Sequence, residues 1–270
     1  MRWDRSHESN NLEDRRGESP PVGGGGLGML LPVAMRFGWP GVLVVVVLYF
    51  LSRGVDCGSS APRQAVTPGH VDDSQEELVR FVGFVFDDVQ STWAQEFQKR
   101  GATYPETRLV VFTSGVDTGC GIADASVGPF YCPLDRKVYI DLSFYRELHR
   151  RFGAPGDFAQ AYVIGHEVGH HVQNVLGALE THGREGSVEV ELQADCLAGA
   201  WGASAERQGL LEAGDVEEAM NAAAAIGDDT IQKRTTGRVR PESFTHGSAE
   251  QRQAAFRRGF RGGSLASCGL

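Results

Sequence analysis

The run DFAQAYVIGHEVGHHVQNVLG, residues 157–177, constrains the fold more than any other part of the chain. Phe158, Ala161, Tyr162, Ile164, Val168, Val172 and Val175 supply apolar faces at helical spacing, and Asp157 can cap the start. The segment reads as a helix over about 157–176. His166 and His170 then lie four residues apart on one face of that helix. Neutral imidazoles in this arrangement suit a single zinc ion, and Glu167 sits beside them where a carboxylate can take a proton from water. His171 points about 100° away around the helix and reads as structural.

A catalytic zinc takes three protein ligands. The third is sought on the next helix, over about 187–208, in Glu191-Leu192-Gln193-Ala194-Asp195. Glu191 and Asp195 share a face, and we read that face as continuing through the small residues Ala198, Gly199 and Gly202. The first helix carries Gly165 and Gly169 beside its histidines. A helical glycine costs about 1 kcal/mol against alanine, so these glycines argue for close packing of small face on small face. Such packing would carry Glu191 to the metal. Asp195 would then accept the spare ring N–H of a ligand histidine. Glu185 and Glu189 are rival ligands, and two solvated carboxylates are the plain alternative. His182 lies between the two helices and reads as exposed. His246 precedes a final helix over about 249–260, whose entrance has Ser248 as N-cap and Gln251 completing a capping box. A histidine held there can donate to a developing oxyanion; the alternative is an ordinary loop histidine.

The rest of the 270 residues organises around this pair of helices. Residues 1–31 read as a polar and Gly-rich tail ending in a flexible linker, and the run Gly23–Gly26 has no strand and helix around it to make a phosphate loop. Residues 32–52 read as a single membrane-spanning helix, with Arg36 snorkelling at one end and Trp39 and Tyr49 near the interfaces. A buried strand, VLVVVVLYF, is the alternative. A weak excess of arginine before the span places the N-terminus inside and the remainder outside the cytoplasm. Residues 53–70 form a linker, and the folded domain occupies 71–270. Its first helix starts at Asp72 or Asp73 and runs to about Arg100, with Leu78, Phe81, Val82, Val85, Phe86, Val89 and Trp93 as a core stripe. Strands follow at Arg108–Phe112 and Lys137–Leu142, and a further helix at about 215–226.

A net charge of −9 excludes nucleic acid as a partner, since phosphate binding needs a basic face. Cys120 and Cys132 close a short loop compatible with a disulfide in an oxidising compartment. Cys196 and Cys268 are a candidate second bridge, which leaves Cys57 odd; five free thiols are the alternative.

Taken together, MRW, NNLEDRRG, GPFYCPLDRKVYIDLSFY, GHEVGHHVQ, ELQADCLAGAW and HGSAEQR resemble the putative neutral zinc metallopeptidase family of bacteria. The resemblance covers nearly the whole chain. It implies an α/β (α+β) zincin-like domain, mostly helical with a small sheet, preceded by a single transmembrane helix. It implies Zn2+ held by His166, His170 and Glu191, with Glu167 as general base, Asp195 as the acid behind a ligand and His246 within a matching motif. The expected activity is hydrolysis of peptide bonds in a protein or peptide substrate, which could pair with an exposed sheet edge beside the metal. The rival readings are a non-catalytic, zinc-stabilised envelope binding protein, a zinc hydrolase of a non-peptide amide, and a membrane scaffold that binds no metal. Neither the natural substrate nor the oligomeric state is legible.

Overall fold

The structure, a computed structural model, describes residues 1–18, 73–150, 153–154, 156–181 and 187–270. The expected tail end, membrane span and linker over residues 19–70, with Cys57 among them, lie outside the described residues, as do His182 and Glu185. No helix among the described residues is long and apolar enough to cross a membrane.

A four-stranded sheet runs in the order β1 (Leu12–Asp14), β2 (Arg108–Phe112), β6 (Lys137–Asp141), β5 (Phe130–Cys132). The first three strands are parallel and β5 is antiparallel to β6. Side chains alternate across the sheet with period two. Leu109, Val111, Val138 and Ile140 enter the main core, while Val110, Phe112, Cys132 and Tyr139 meet Val116 and Ala123 on the other face. Those two residues belong to a hairpin of β3 (Gly115–Thr118) and β4 (Gly121–Asp124). The disulfide Cys120–Cys132 ties the turn of this hairpin to β5, with Cα atoms 5.9 Å apart.

Helix α1 (Asp73–Lys99) buries the expected stripe from Phe81 to Trp93. After β6 come α2 (Ser143–Arg150), α3 (Asp157–Val175), α4 (Ala178–Thr181), α5 (Val188–Arg207), α6 (Asp215–Ala225), α7 (Asp228–Thr235) and α8 (Ala249–Gly262). The result is a mixed, mainly helical α+β fold. The capping box at the start of α8 forms as expected: Gln251 N–H donates to Ser248 Oγ and Ser248 N–H to Gln251 Oε1. Cys196 on α5 is bonded to Cys268 beyond α8.

Three expectations need correction. Residues 1–18 are part of the domain rather than a tail. Leu12–Asp14 pair with Leu109–Val111, and Trp3 packs on Phe81 and Phe84 of α1. The strand carries charge because it lies at a sheet edge, where Glu13 takes Lys137 at 2.9 Å and Arg16 bridges Asp14 and Glu76. Asp157 does not cap α3. The residue before the helix is Gly156, the Phe158 N–H donates to Glu218, and the Asp157 carboxylate accepts from the Met1 amino group instead. Finally, the small face of α5 divides. Ala194, Ala198 and Trp201 meet Gly165 and Gly169 of α3, whereas Gly199 faces α8, where a Cβ would fall 2.0 Å from the Phe256 carbonyl oxygen. One residue along a helix turns about 100°, so Ala198 and Gly199 serve different neighbours.

Candidate metal centre

Helix α3 enters the core almost entirely buried, and its histidines emerge where α5 crosses it. A Cβ on Gly169 would lie 3.1 Å from the Ala194 carbonyl oxygen, so the backbones approach to a distance only glycine leaves comfortable. That approach brings Glu191, in the first turn of α5, to the histidines. His166 Nε2 lies 3.1 Å from one Glu191 oxygen, His170 Nε2 lies 3.6 Å from the other, and the two Nε2 atoms are 3.2 Å apart.

Each ring is fixed from behind. His166 Nδ1 donates to Asp195 Oδ1 at 2.8 Å, and His170 Nδ1 donates to Gln173 Oε1 at 2.8 Å. With both Nδ1 positions donating away from the centre, both Nε2 atoms are turned to the same point. Gln173 is itself held, since its amide donates to the Val190 carbonyl at 2.8 Å and to Gln193 at 3.0 Å. Asp195 accepts from Tyr162 Oη and from both Nε and Nη2 of Arg252, at 2.8 and 2.9 Å.

The donor set fits zinc. Bonds of about 2.0–2.1 Å in tetrahedral geometry separate ligand atoms by roughly 3.3 Å, close to the three separations here. His166, His170 and Glu191 are grouped with one ligand atom each inside 4.8 Å. Electrostatics agree. Burial opposes a charge on His166, but the carboxylates of Asp195 and Glu191 outweigh it and hold the ring up to about 10. Burial also opposes ionisation of Glu191, yet His170 and His166 hold its carboxyl well below the usual range. The group therefore favours a cation at its centre. Glu167, 8% exposed, neighbours it on α3. Tyr145 on α2 is buried close by, and burial together with the Glu167 carboxylate pushes its hydroxyl well above the usual range. That hydroxyl has no hydrogen-bond partner among the described residues.

Of the rival ligands, Glu189 is exposed and stands outside the group. His171 turns away as its helical position requires, with Nε2 donating to the Pro105 carbonyl and Nδ1 accepting from Tyr131 Oη. His246 is half exposed at the entrance to α8. The loop is ordered by Asp228, whose Oδ2 accepts from the backbone N–H of Thr245, His246 and Gly247 at 2.7, 2.6 and 3.0 Å. Gly247 packs against Val188 and Leu192, so this loop lies on the first turns of α5, next to Glu191. A second acidic group, Asp157, Asp215 and Glu218, surrounds the Met1 amino group.

Sequence reasoning missed Tyr162, Gln173, Asp228 and Arg252. Arg252 carried a signal. With Ala255, Phe256 and Gly259 it forms the i, i+3, i+4, i+7 stripe that α8 buries, and an arginine on such a stripe demands a buried acid. Tyr162 looked like core and is core; its polar end donates to Asp195 of α5 and accepts from Arg252 of α8.

An α+β fold whose central helix presents two histidines to a glutamate of α5 carries a group of side chains that could hold a metal ion between packed helices. The chain matches the putative neutral zinc metallopeptidase family over residues 1–270 and belongs to it. It is 45% identical over 283 aligned positions to the uncharacterized protein YpfJ of Escherichia coli (strain K12), spanning 99% of this chain and 98% of that one. It is 48% identical over 185 positions to the uncharacterized protein Mb2605 of Mycobacterium bovis, spanning 62% of each. No solved structure matches the chain. Membership carries a zinc peptidase activity at the level of the class.

Proposed function

We propose that this chain is a zincin-like endopeptidase that uses a zinc ion held by His166, His170 and Glu191. The observation carrying this reading is the near-equal spacing of the two Nε2 atoms and the Glu191 carboxylate, with Glu167 one residue from His166. Zinc at this point would supply Lewis acidity, polarising the scissile carbonyl and acidifying the attacking water. Glu167 takes the proton from that water and passes it to the leaving amine. His246, anchored through Asp228, donates a hydrogen bond to the oxyanion. β5, the last strand in the order of the sheet, runs beside α3 and is the strand against which an extended peptide would be laid. The two disulfides support a site of action outside the cytoplasm. Residues 32–52 remain the segment proposed to attach the domain to a membrane.

The test is zinc content and casein hydrolysis of the full chain as wild type and as Glu167→Gln. One zinc in both, with hydrolysis only by the wild type, is the expected result. Zinc in both with equal activity would remove Glu167 from the mechanism. Zinc with no hydrolysis in either points to the non-catalytic binding protein or to a non-peptide amide substrate, and no zinc in folded protein overturns the reading.

A further inference from the structure

We propose that Arg252 is a positioning residue for the metal centre, acting through Asp195 on His166. This inference rests on the zinc reading above. Asp195 is fully buried, and a carboxylate there has two ways to relieve its isolation: it can take a proton or it can rotate away. Arg252 blocks both. Its Nε and Nη2 grip the two oxygens of Asp195 as a fork, at 2.8 and 2.9 Å, while Nη2 also reaches Tyr162 Oη at 3.1 Å and Nη1 the Ile226 carbonyl at 3.4 Å. The fork fixes the plane of the carboxylate, which leaves Oδ1 aimed at His166 Nδ1. The proton on Nδ1 is thereby held in place, and Nε2 is left as the atom turned to the metal position.

Charge gives the second reason. Glu167, Glu191 and Asp195 bring three carboxylates to one buried region. A divalent ion alone leaves one of them unbalanced; the guanidinium balances it from the side away from the ligand atoms. Without Arg252, Asp195 would draw the Nδ1 proton more strongly or turn out of line, and His166 would be a less well aimed ligand. The backbone places Arg252 for this role. Ser248 and Gln251 fix the first turn of α8, and Gly199 against the Phe256 backbone and Gly259 against the Cys196 backbone set α8 directly on α5.

The experiment measures zinc affinity of the full chain by competition with a chelator, for wild type, Arg252→Met, Arg252→Lys, Asp195→Asn and the Arg252→Met/Asp195→Asn double variant. Circular dichroism in the near ultraviolet reports folding. Arg252→Met is expected to weaken zinc binding roughly 10- to 100-fold, the range for partners that orient a ligand. Arg252→Lys, which keeps the charge and loses the fork, is expected to fall between it and the wild type. The double variant is expected to bind no more weakly than Asp195→Asn. Folded Arg252→Met with wild-type affinity overturns the proposal, and so does a further loss of the same size in the Asp195→Asn background. Should Arg252→Met fail to fold, Arg252→Lys decides: wild-type affinity overturns the proposal and an intermediate value supports it. A wild type that binds no zinc overturns the metal centre itself, an outcome distinct from the others.

Discussion

His166 and His170 point their Nε2 atoms at each other across 3.2 Å, and an oxygen acceptor behind each ring holds the proton on Nδ1. The two Nε2 atoms thus face one point, with the Glu191 carboxylate as its third side. The acceptors differ: Asp195 is charged and tied to α8, whereas Gln173 is neutral and lies on the same helix as its histidine.

Gln173 is therefore expected to matter less than Asp195. Gln173→Ala should weaken zinc binding by roughly 10-fold, the low end for a group behind a ligand, and Gln173→Glu should restore it. Chelator competition measures both.

His246 touches no ligand atom, so His246→Ala should leave zinc content unchanged. As a donor to the oxyanion it should lower kcat by about 100- to 1,000-fold with little change in KM. Steady-state kinetics on a peptide substrate separate this from a loss of substrate binding, which would raise KM alone.

Gly259 of α8 packs on the backbone of α5, and a Cβ there would lie 1.8 Å from the Cys196 carbonyl oxygen. Gly259→Ala must push the helices apart. A loss of about 2–3 kcal/mol is expected from overpacking, read as a lower midpoint in urea.

The two disulfides close loops of different length, with sequence separations of 12 and 72. Loop-closure entropy gives about 3 kcal/mol for the shorter and about 4 kcal/mol for the longer. Paired Cys→Ser variants should keep that order in thermal unfolding, with Cys196/Cys268 the more damaging pair to remove.

His171 makes a pH-dependent contribution. Burial pushes its ring below the ordinary value of 6.5, and the Pro105 carbonyl offsets this only in part. Between that lowered value and 6.5 the unfolded chain binds more protons than the folded one, so stability falls as the pH falls through this window. Melting temperatures at pH 7.5 and 5.5 should differ more for the wild type than for His171→Gln.

The helices of the centre were legible in the sequence because each is a long periodic segment with strong local signals. The 3.6-residue repeat places His166 and His170 together without reference to the rest of the chain. Glu191 needed one further step, the matching of small faces, and that step succeeded at Ala198 while assigning Gly199 to the wrong partner. Arg252 lies 57 positions from Asp195, and no local pattern pairs them. The same holds for β1. Three residues with one apolar side chain give no period to read, and their strand character comes from β2 alone.

Strand β1 has a consequence for how the polypeptide is delivered. Leu12 and Leu109 are neighbours in one hydrogen-bonded sheet, so both must fold in the same aqueous compartment. β1 and β2 therefore lie on the same side of any bilayer. An impermeant thiol reagent should accordingly label a cysteine placed at Glu8 and one placed at Glu250 in the same intact cells, or neither.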